Sequence, residues 1–219
     1  MTLFSRVKRL LNRLQRRPAL SSQGSAMDAF LQAAARLGPG DIAIDCGANV
    51  GRFTLPLARS GATVYAFEPN PDAFDRLSQD LAAFDNVQLH QKAVAEAAGT
   101  MKLYLHEFAE DDPLKWSTGS SLLAFKGNVR EDTFVSVEVV DLAAFMAQLD
   151  KPVALLKMDI EGAEVAVLER LLERGLENRI GQAFVEVHDR KMPELAERTN
   201  RLRALLRKRG LTNFDLNWH

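Results

Sequence analysis

Cysteine is nearly absent: Cys46 is the single one in 219 residues, which excludes an internal disulfide and a cysteine-built zinc cluster. A lone thiol suits a reducing compartment, so the cytoplasm is the expected location, and Cys46 reads as small core filler. No apolar run is long enough to span a bilayer, and no stretch has the composition of a disordered domain. Two phosphate-binding signatures are missing as well. There is no G-x-G-x-x-G, whose middle glycine lets a pyrophosphate touch backbone, and no G-x-x-x-x-G-K-[ST].

The net charge of −1 conceals an asymmetry. Arg6, Lys8, Arg9, Arg13, Arg16 and Arg17 give residues 1–27 a charge of +6 with no acid, leaving −7 on the remainder. Leu3, Phe4, Val7, Leu10, Leu11 and Leu14 fall at helical spacing between these bases, and Pro18 closes the pattern. The expectation is a basic amphipathic helix that docks on a partner or lies peripherally at the inner, anionic face of a membrane. A helix covering its own domain is the alternative. Arginines interrupt the apolar residues throughout, unlike a cleaved signal peptide. The acidic remainder offers no basic face for phosphates, so no nucleic-acid partner is expected.

What is present concentrates in two runs. Ile42 to Asp45 is an apolar strand opening into Gly47-Ala-Asn49-Val-Gly51, a tight turn leading into a helix. Thr63 to Phe67 is a second strand stopping at Glu68, ahead of Pro69 and Asn70. Glu68 lies seventeen residues past Gly51, near the spacing at which a carboxylate on a neighbouring strand end meets ribose hydroxyls. Asp45 at the turn would repel phosphate and suits a cation. A nucleoside with a fixed cation and no phosphate is S-adenosylmethionine, which points to methyl transfer. A capped turn alone would explain the glycines but not a buried strand ending in an acid.

With these two runs, Leu156 to Glu164 (LKMDIEGAE) and Phe184 to His188 (FVEVH), the chain resembles the FkbM family of class I S-adenosylmethionine-dependent methyltransferases over residues 40–217. The resemblance implies an O-methyltransferase acting on a hydroxyl of a sugar, glycan or secondary metabolite, and hence a small-molecule or glycan acceptor. It also implies sheet order 3-2-1-4-5 with a final antiparallel hairpin. Only Thr212 to Trp218 is left for that hairpin, so its last strand is expected to be short or missing.

Periodicity and turn signals predict a helix over 26–37 capped by Ser25, strand 42–45, helix 51–59, strand 63–67, helix 71–83 and strand 87–94. Strands near 100–106 and 133–140 follow, then strand 153–159, helix 163–174, strand 182–187 and helix 193–209. This is an α/β chain with a mostly parallel sheet covered on both faces. Residues 1–24 form the basic helix and linker, and residues 25–219 a single Rossmann-like domain.

Asp45, Gly47, Asn49, Gly51, Glu68, Pro69 and Asn70 are the expected cofactor-binding set. Ala93 and Val94 would flank the adenine, although core packing explains them equally. Asp159, Glu161 and His188 are the expected catalytic residues: acids at strand ends, and a histidine beside Glu186 able to accept the acceptor's proton. Lys157 is expected to pair with one of those acids, and Glu164 to favour the helix dipole. No metal is assigned. A divalent ion on Asp159, Glu161, Glu186 and His188 ranks second, because a helix cap and a hydrogen-bonded base account for the same residues. A non-catalytic cofactor-binding module is the remaining alternative. Residues 107–132, with Trp116, Ser120 and Ser121, read as a lid or a solvated loop.

Overall fold

The structure is a computed structural model that describes residues 22–106, 129–189 and 193–218. The predicted basic helix and the Trp116 to Ser121 segment lie outside the described residues.

Helix α1 (Ser22–Ala34) precedes β1 (Ile42–Cys46), α2 (Thr54–Arg59), β2 (Thr63–Phe67), α3 (Pro71–Asp80) and β3 (Val87–His90). A three-stranded excursion follows, made of β4 (Ala93–Ala95), β5 (Gly99–His106) and β6 (Val129–Asp141). The chain then runs through α4 (Leu142–Ala147), β7 (Val153–Met158), α5 (Glu164–Glu173), β8 (Ile180–Val185), α6 (Pro193–Lys208) and β9 (Phe214–Asp215).

The main sheet has the order β3-β2-β1-β7-β8-β9, every pair parallel. β1 is central, and all five of its residues are buried. Its side chains alternate between two cores. Ile42, Ile44 and Cys46 join Leu156, Leu168 and Leu206 under α4, α5 and α6, while Ala43 joins Phe30, Leu57 and Leu155 under α1 and α2. This period of two matches a strand with helices on both faces. Strand order reverses at β1, because β2 lies on one side of it and β7 on the other. A crevice therefore opens at the carboxyl ends of these strands, which is where ligands bind in open α/β sheets.

Four expectations need correction. The strand predicted over 87–94 is two strands in different sheets: Lys92 N–H turns back to His90 O, and β4 pairs with β6 in the second sheet, order β4-β6-β5. Ser25 is not a cap, since α1 starts at Ser22. Helix α2 starts at Thr54 because Gly51 to Phe53 are spent on the turn. In place of an antiparallel hairpin, the last described strand is the two-residue β9, parallel to β8. A sixteen-residue α6 carries the chain back across the sheet, so the next strand enters in the same direction as β8.

Candidate functional site

The turn after β1 depends on glycine at two points. Gly47 has φ 77°, and a Cβ there would sit 1.8 Å from the carbonyl oxygen of Asp159, so the ends of β1 and β7 approach closely only because the side chain is absent. Gly51 has φ 90°, and a Cβ would meet Leu77 at 2.9 Å. Asn49 between them also takes positive φ, 48°, and its side-chain oxygen accepts the N–H of Val50. Gly47 and Ala48 N–H both bond to Phe67 O, tying the turn to the end of β2.

Glu68 follows that end. Its two carboxylate oxygens accept the backbone N–H groups of Asn49 at 2.7 Å and Asn70 at 2.8 Å, which fixes the plane of the group. Burial raises its pKa to about 7, against the lowering effect of those hydrogen bonds. Pro69 is half-buried and leads to Asn70, which caps α3 by accepting from Asp72 and Ala73 N–H, with Pro71 in the first turn.

Asp45 does not open onto the crevice. It is fully buried, accepts from Thr54 Oγ1 at 2.7 Å, and lies 3.2 Å from Lys157 Nζ, its register partner on β7. The cation it was expected to face is therefore supplied by the chain itself, and Lys157 pairs across strands rather than with the acids that follow it. Lys157 also donates to Gly47 O at 2.6 Å, so the ion pair pins the glycine turn. Burial disfavours its ammonium, but Asp45 and Asp159 outweigh that and hold its pKa above the ordinary value. Cys46 is buried and its thiol is pushed far up by burial, which suits filler and not a nucleophile.

At the ends of β7 and β8 the structure gathers Asp159, Glu161, Glu164, Glu186 and His188. His188 is 2% exposed. Its Nδ1 lies 3.0 Å from Glu164 Oε1, and its Nε2 lies 3.1 Å from Glu161, 3.7 Å from Asp159 and 4.0 Å from Glu186. Burial works against an imidazolium here, but the carboxylates of Glu161 and Glu164 prevail and lift the pKa to about 10. Burial likewise raises Asp159 to about 6; Lys157 opposes this, and Glu186 and Glu161 add to it. Glu161 takes φ 59°, a left-handed backbone that turns the chain before Gly162.

Glu164 is more than a first-turn acid. It is fully buried and accepts the N–H groups of Ile160 and Gly162 while meeting His188. Its sequence position could not disclose this, because a helix-start acid ordinarily faces water. The side chains of Ala93 and Val94 are buried in hydrophobic clusters, so they are not brought to the crevice surface.

A cleft of about 410 Å³ lies at the crevice, lined by the polar or backbone-presenting Gly47, Asn49, Lys157, Asp159 and Glu186 and by the apolar Met27, Phe53 and Trp218. None of the last three carries a local signal in the sequence that marks it for a site. They come from α1, the glycine turn and the C-terminal tail. Trp218 joins them by packing on Phe30, Phe53 and Phe184 and donating Nε1–H to Ala26 O.

A parallel sheet reversing at β1, a glycine turn with no phosphate-binding signature and a fixed carboxylate at the end of β2 together define the Rossmann-like methyltransferase class. Residues 45–211 match the model described as the methyltransferase FkbM domain, and the chain belongs to that family. S-adenosylmethionine is the cofactor of this domain. The chain is 30% identical over 166 residues to Methyltransferase 1 of Beauveria bassiana, covering 68% of this chain and 65% of that one. It is 29% identical over 187 residues to 31-O-demethyl-FK506 methyltransferase FkbM of Streptomyces tacrolimicus, covering 73% and 70%. With hexuronic acid methyltransferase AglP of Haloferax volcanii it shares 28% over 153 residues, covering 68% and 56%. The chain thus spans a little over half to about two thirds of these relatives' lengths.

The residues fit the cofactor. Gly47, which has no side chain to intrude, lines the cleft, and Glu68 presents a carboxylate oriented by two backbone donors, one of them the cleft-lining Asn49.

Proposed function

We propose that the chain is an S-adenosylmethionine-dependent O-methyltransferase whose acceptor is a hydroxyl on a sugar, glycan or secondary metabolite. The observation that carries this reading is a single cleft that joins the Gly47 to Asn49 turn to the strand-end acids Asp159 and Glu186. The Streptomyces and Haloferax relatives, named for methyl transfer to a demethylated FK506 and to a hexuronic acid, support this acceptor class.

S-adenosylmethionine supplies an electrophilic methyl group when bound. Glu68 accepts hydrogen bonds from the ribose hydroxyls, held in place by Asn49 and Asn70 N–H. Gly47, Asn49 and Gly51 shape the backbone around the methionyl end, and the Asp45–Lys157 pair keeps that turn closed. Asp159 faces the cleft and takes the acceptor's proton as the new bond forms. His188, already protonated at neutral pH by its carboxylate neighbours, acts as a positioning residue. Met27, Phe53 and Trp218 form the apolar wall against which the acceptor rests.

The test is methyl transfer from isotopically labelled S-adenosylmethionine to a panel of uronic acids, hexoses and polyketide alcohols, read by mass spectrometry. Labelled methyl is expected on an oxygen. Asp159→Asn should lower turnover ~10²–10⁴-fold with little change in S-adenosylhomocysteine affinity. A chain that binds NAD in preference to S-adenosylhomocysteine, or that binds neither, would overturn the reading.

The basic segment at residues 1–17 is proposed to make a peripheral contact with anionic membranes, supported by its six bases and no acid. The full chain should sediment with anionic liposomes at low salt, and a chain lacking residues 1–21 should not. No sedimentation of the full chain would remove the membrane role.

A further inference from the structure

We propose that Asp159, Glu161 and His188 form a binding site for a divalent cation of the manganese type, at the acid-lined end of the cleft. One ligand atom from each of the three lies within 4.8 Å of the others. Around a cation with bonds of ~2.1 Å, neighbouring octahedral ligand atoms stand ~3 Å apart, and somewhat farther when the angle opens. The 3.1 Å from His188 Nε2 to Glu161 Oε2 and the 3.7 Å to Asp159 Oδ1 match such edges.

A group of acids alone would mean little. The independent observation is His188. Its side chain is 1% exposed, and its Nε2 points among three carboxylates, 3.1 Å from the nearest, with no hydrogen bond of good geometry among the described residues. Asp159 Oδ1, shut off from solvent, also has no hydrogen-bond partner among the described residues. Two buried polar atoms left facing one point are costly unless something occupies that point. The other side of the ring is already committed. With Glu164 accepting from Nδ1–H at 3.0 Å, the proton that an incoming cation displaces is the one on Nε2, and the lone pair so freed is aimed at the cluster. A carboxylate behind a histidine in this way fixes the tautomer for a metal and raises the ring's basicity. Glu164 is itself immobilised by Ile160 and Gly162 N–H.

One imidazole with two carboxylates, and Glu186 within reach of a bridging water, is an oxygen-rich set with a single nitrogen. That favours manganese over a soft, thiolate-seeking ion. Asp159 would bind through Oδ1, leaving Oδ2 for the acceptor. The cation would then polarise the acceptor hydroxyl, a role that rests on the methyl-transfer reading, whereas binding of the ion itself does not.

The full chain, stripped with chelator and free of cofactor, is titrated with manganese(II) and followed by loss of the free-ion paramagnetic resonance signal and by calorimetry. One ion per chain is expected. Glu161→Gln and His188→Gln should each weaken affinity by roughly tenfold or more, while the exposed Glu138→Gln, remote from the cluster, should not change it. Circular dichroism checks each variant's fold. Should the buried His188 variant fail to fold, the half-buried Glu161 decides. No binding of manganese, zinc or magnesium up to millimolar concentration overturns the site, as does equal binding by Glu161→Gln and Glu138→Gln. An S-adenosylhomocysteine titration alongside separates the two readings. Cofactor binding without metal binding removes only the metal site, and metal binding without cofactor binding removes the methyl-transfer reading.

Discussion

At the scale of single residues the site is governed by carboxylates in different company. Asp45 is buried against the Lys157 ammonium, and removing Lys157 would leave it in the core without that partner, at a cost of ~3–5 kcal/mol. Glu68 is buried with no ion pair among the described residues, and two backbone N–H groups and the more distant Lys157 only partly offset its desolvation, which leaves its pKa at about 7. Ribose hydroxyls donate, so they bind the ionised form. Binding therefore lowers the Glu68 pKa and releases a proton wherever the free group is still protonated. S-adenosylhomocysteine affinity should rise with pH through about 7 and fall below it by up to ~tenfold per unit. Glu68→Ala should flatten that profile and weaken binding by ~1.5–3 kcal/mol at pH 8. Calorimetry in two buffers of different ionisation heat reads both effects. A wild-type affinity flat from pH 5.5 to 8 would take Glu68 out of the ribose site.

At the scale of elements, the approach of β1 to β7 is what makes a site of separate motifs. Asp159 N–H donates to Cys46 O, and Lys157 Nζ reaches Gly47 O, so the ends of the two strands are stitched together with no room for a Cβ between them. Gly47→Ala must both push the carbonyl of Asp159 away and hold alanine at positive φ. We expect a loss of roughly 2–4 kcal/mol in urea unfolding, together with a loss of S-adenosylhomocysteine binding. Alanine tolerated with unchanged affinity would mean that the strand ends separate more easily than their hydrogen bonds imply. The second sheet does different work. Its buried Ala93, Ala95, Leu103, Val137 and Val139 form their own small core, and β6 leads through the Asp141 cap into α4 under the main sheet.

For the whole molecule, Trp218 joins parts far apart in sequence. Its indole contacts Phe30 from α1, Phe53 from the turn and Phe184 from β8, and it donates to Ala26 O, 192 residues away. It also walls the cleft. Trp218→Ala should cost ~3–5 kcal/mol of stability, as for other large buried aromatics, and should raise the KM for the acceptor more than for the cofactor. Urea titration and steady-state kinetics measure the two effects. An equal rise in both KM values would place Trp218 in general support of the cleft rather than in the acceptor wall. Among the described residues no helix is long and apolar enough to cross a membrane.

The sequence by itself determined the alternation of strands and helices, the glycine turn after Asp45 and the acids at the strand ends, because each is written in a local period, a φ requirement or a neighbouring residue type. It could not show that Asp45 would face Lys157, since parallel register joins residues more than a hundred positions apart. The predicted strand over 87–94 failed for a related reason. The apolar pattern continues through Ala93 and Val94, while a tertiary choice of partner, β6 instead of β2, divides it. Helix α6 sets the direction of β9, which no residue of Thr212 to Trp218 states. The burial of Glu164 against His188 depends on where α5 lies under β8, and the wall of Met27, Phe53 and Trp218 on three segments closing together. Such contacts follow from the packing of whole elements, which local sequence does not encode.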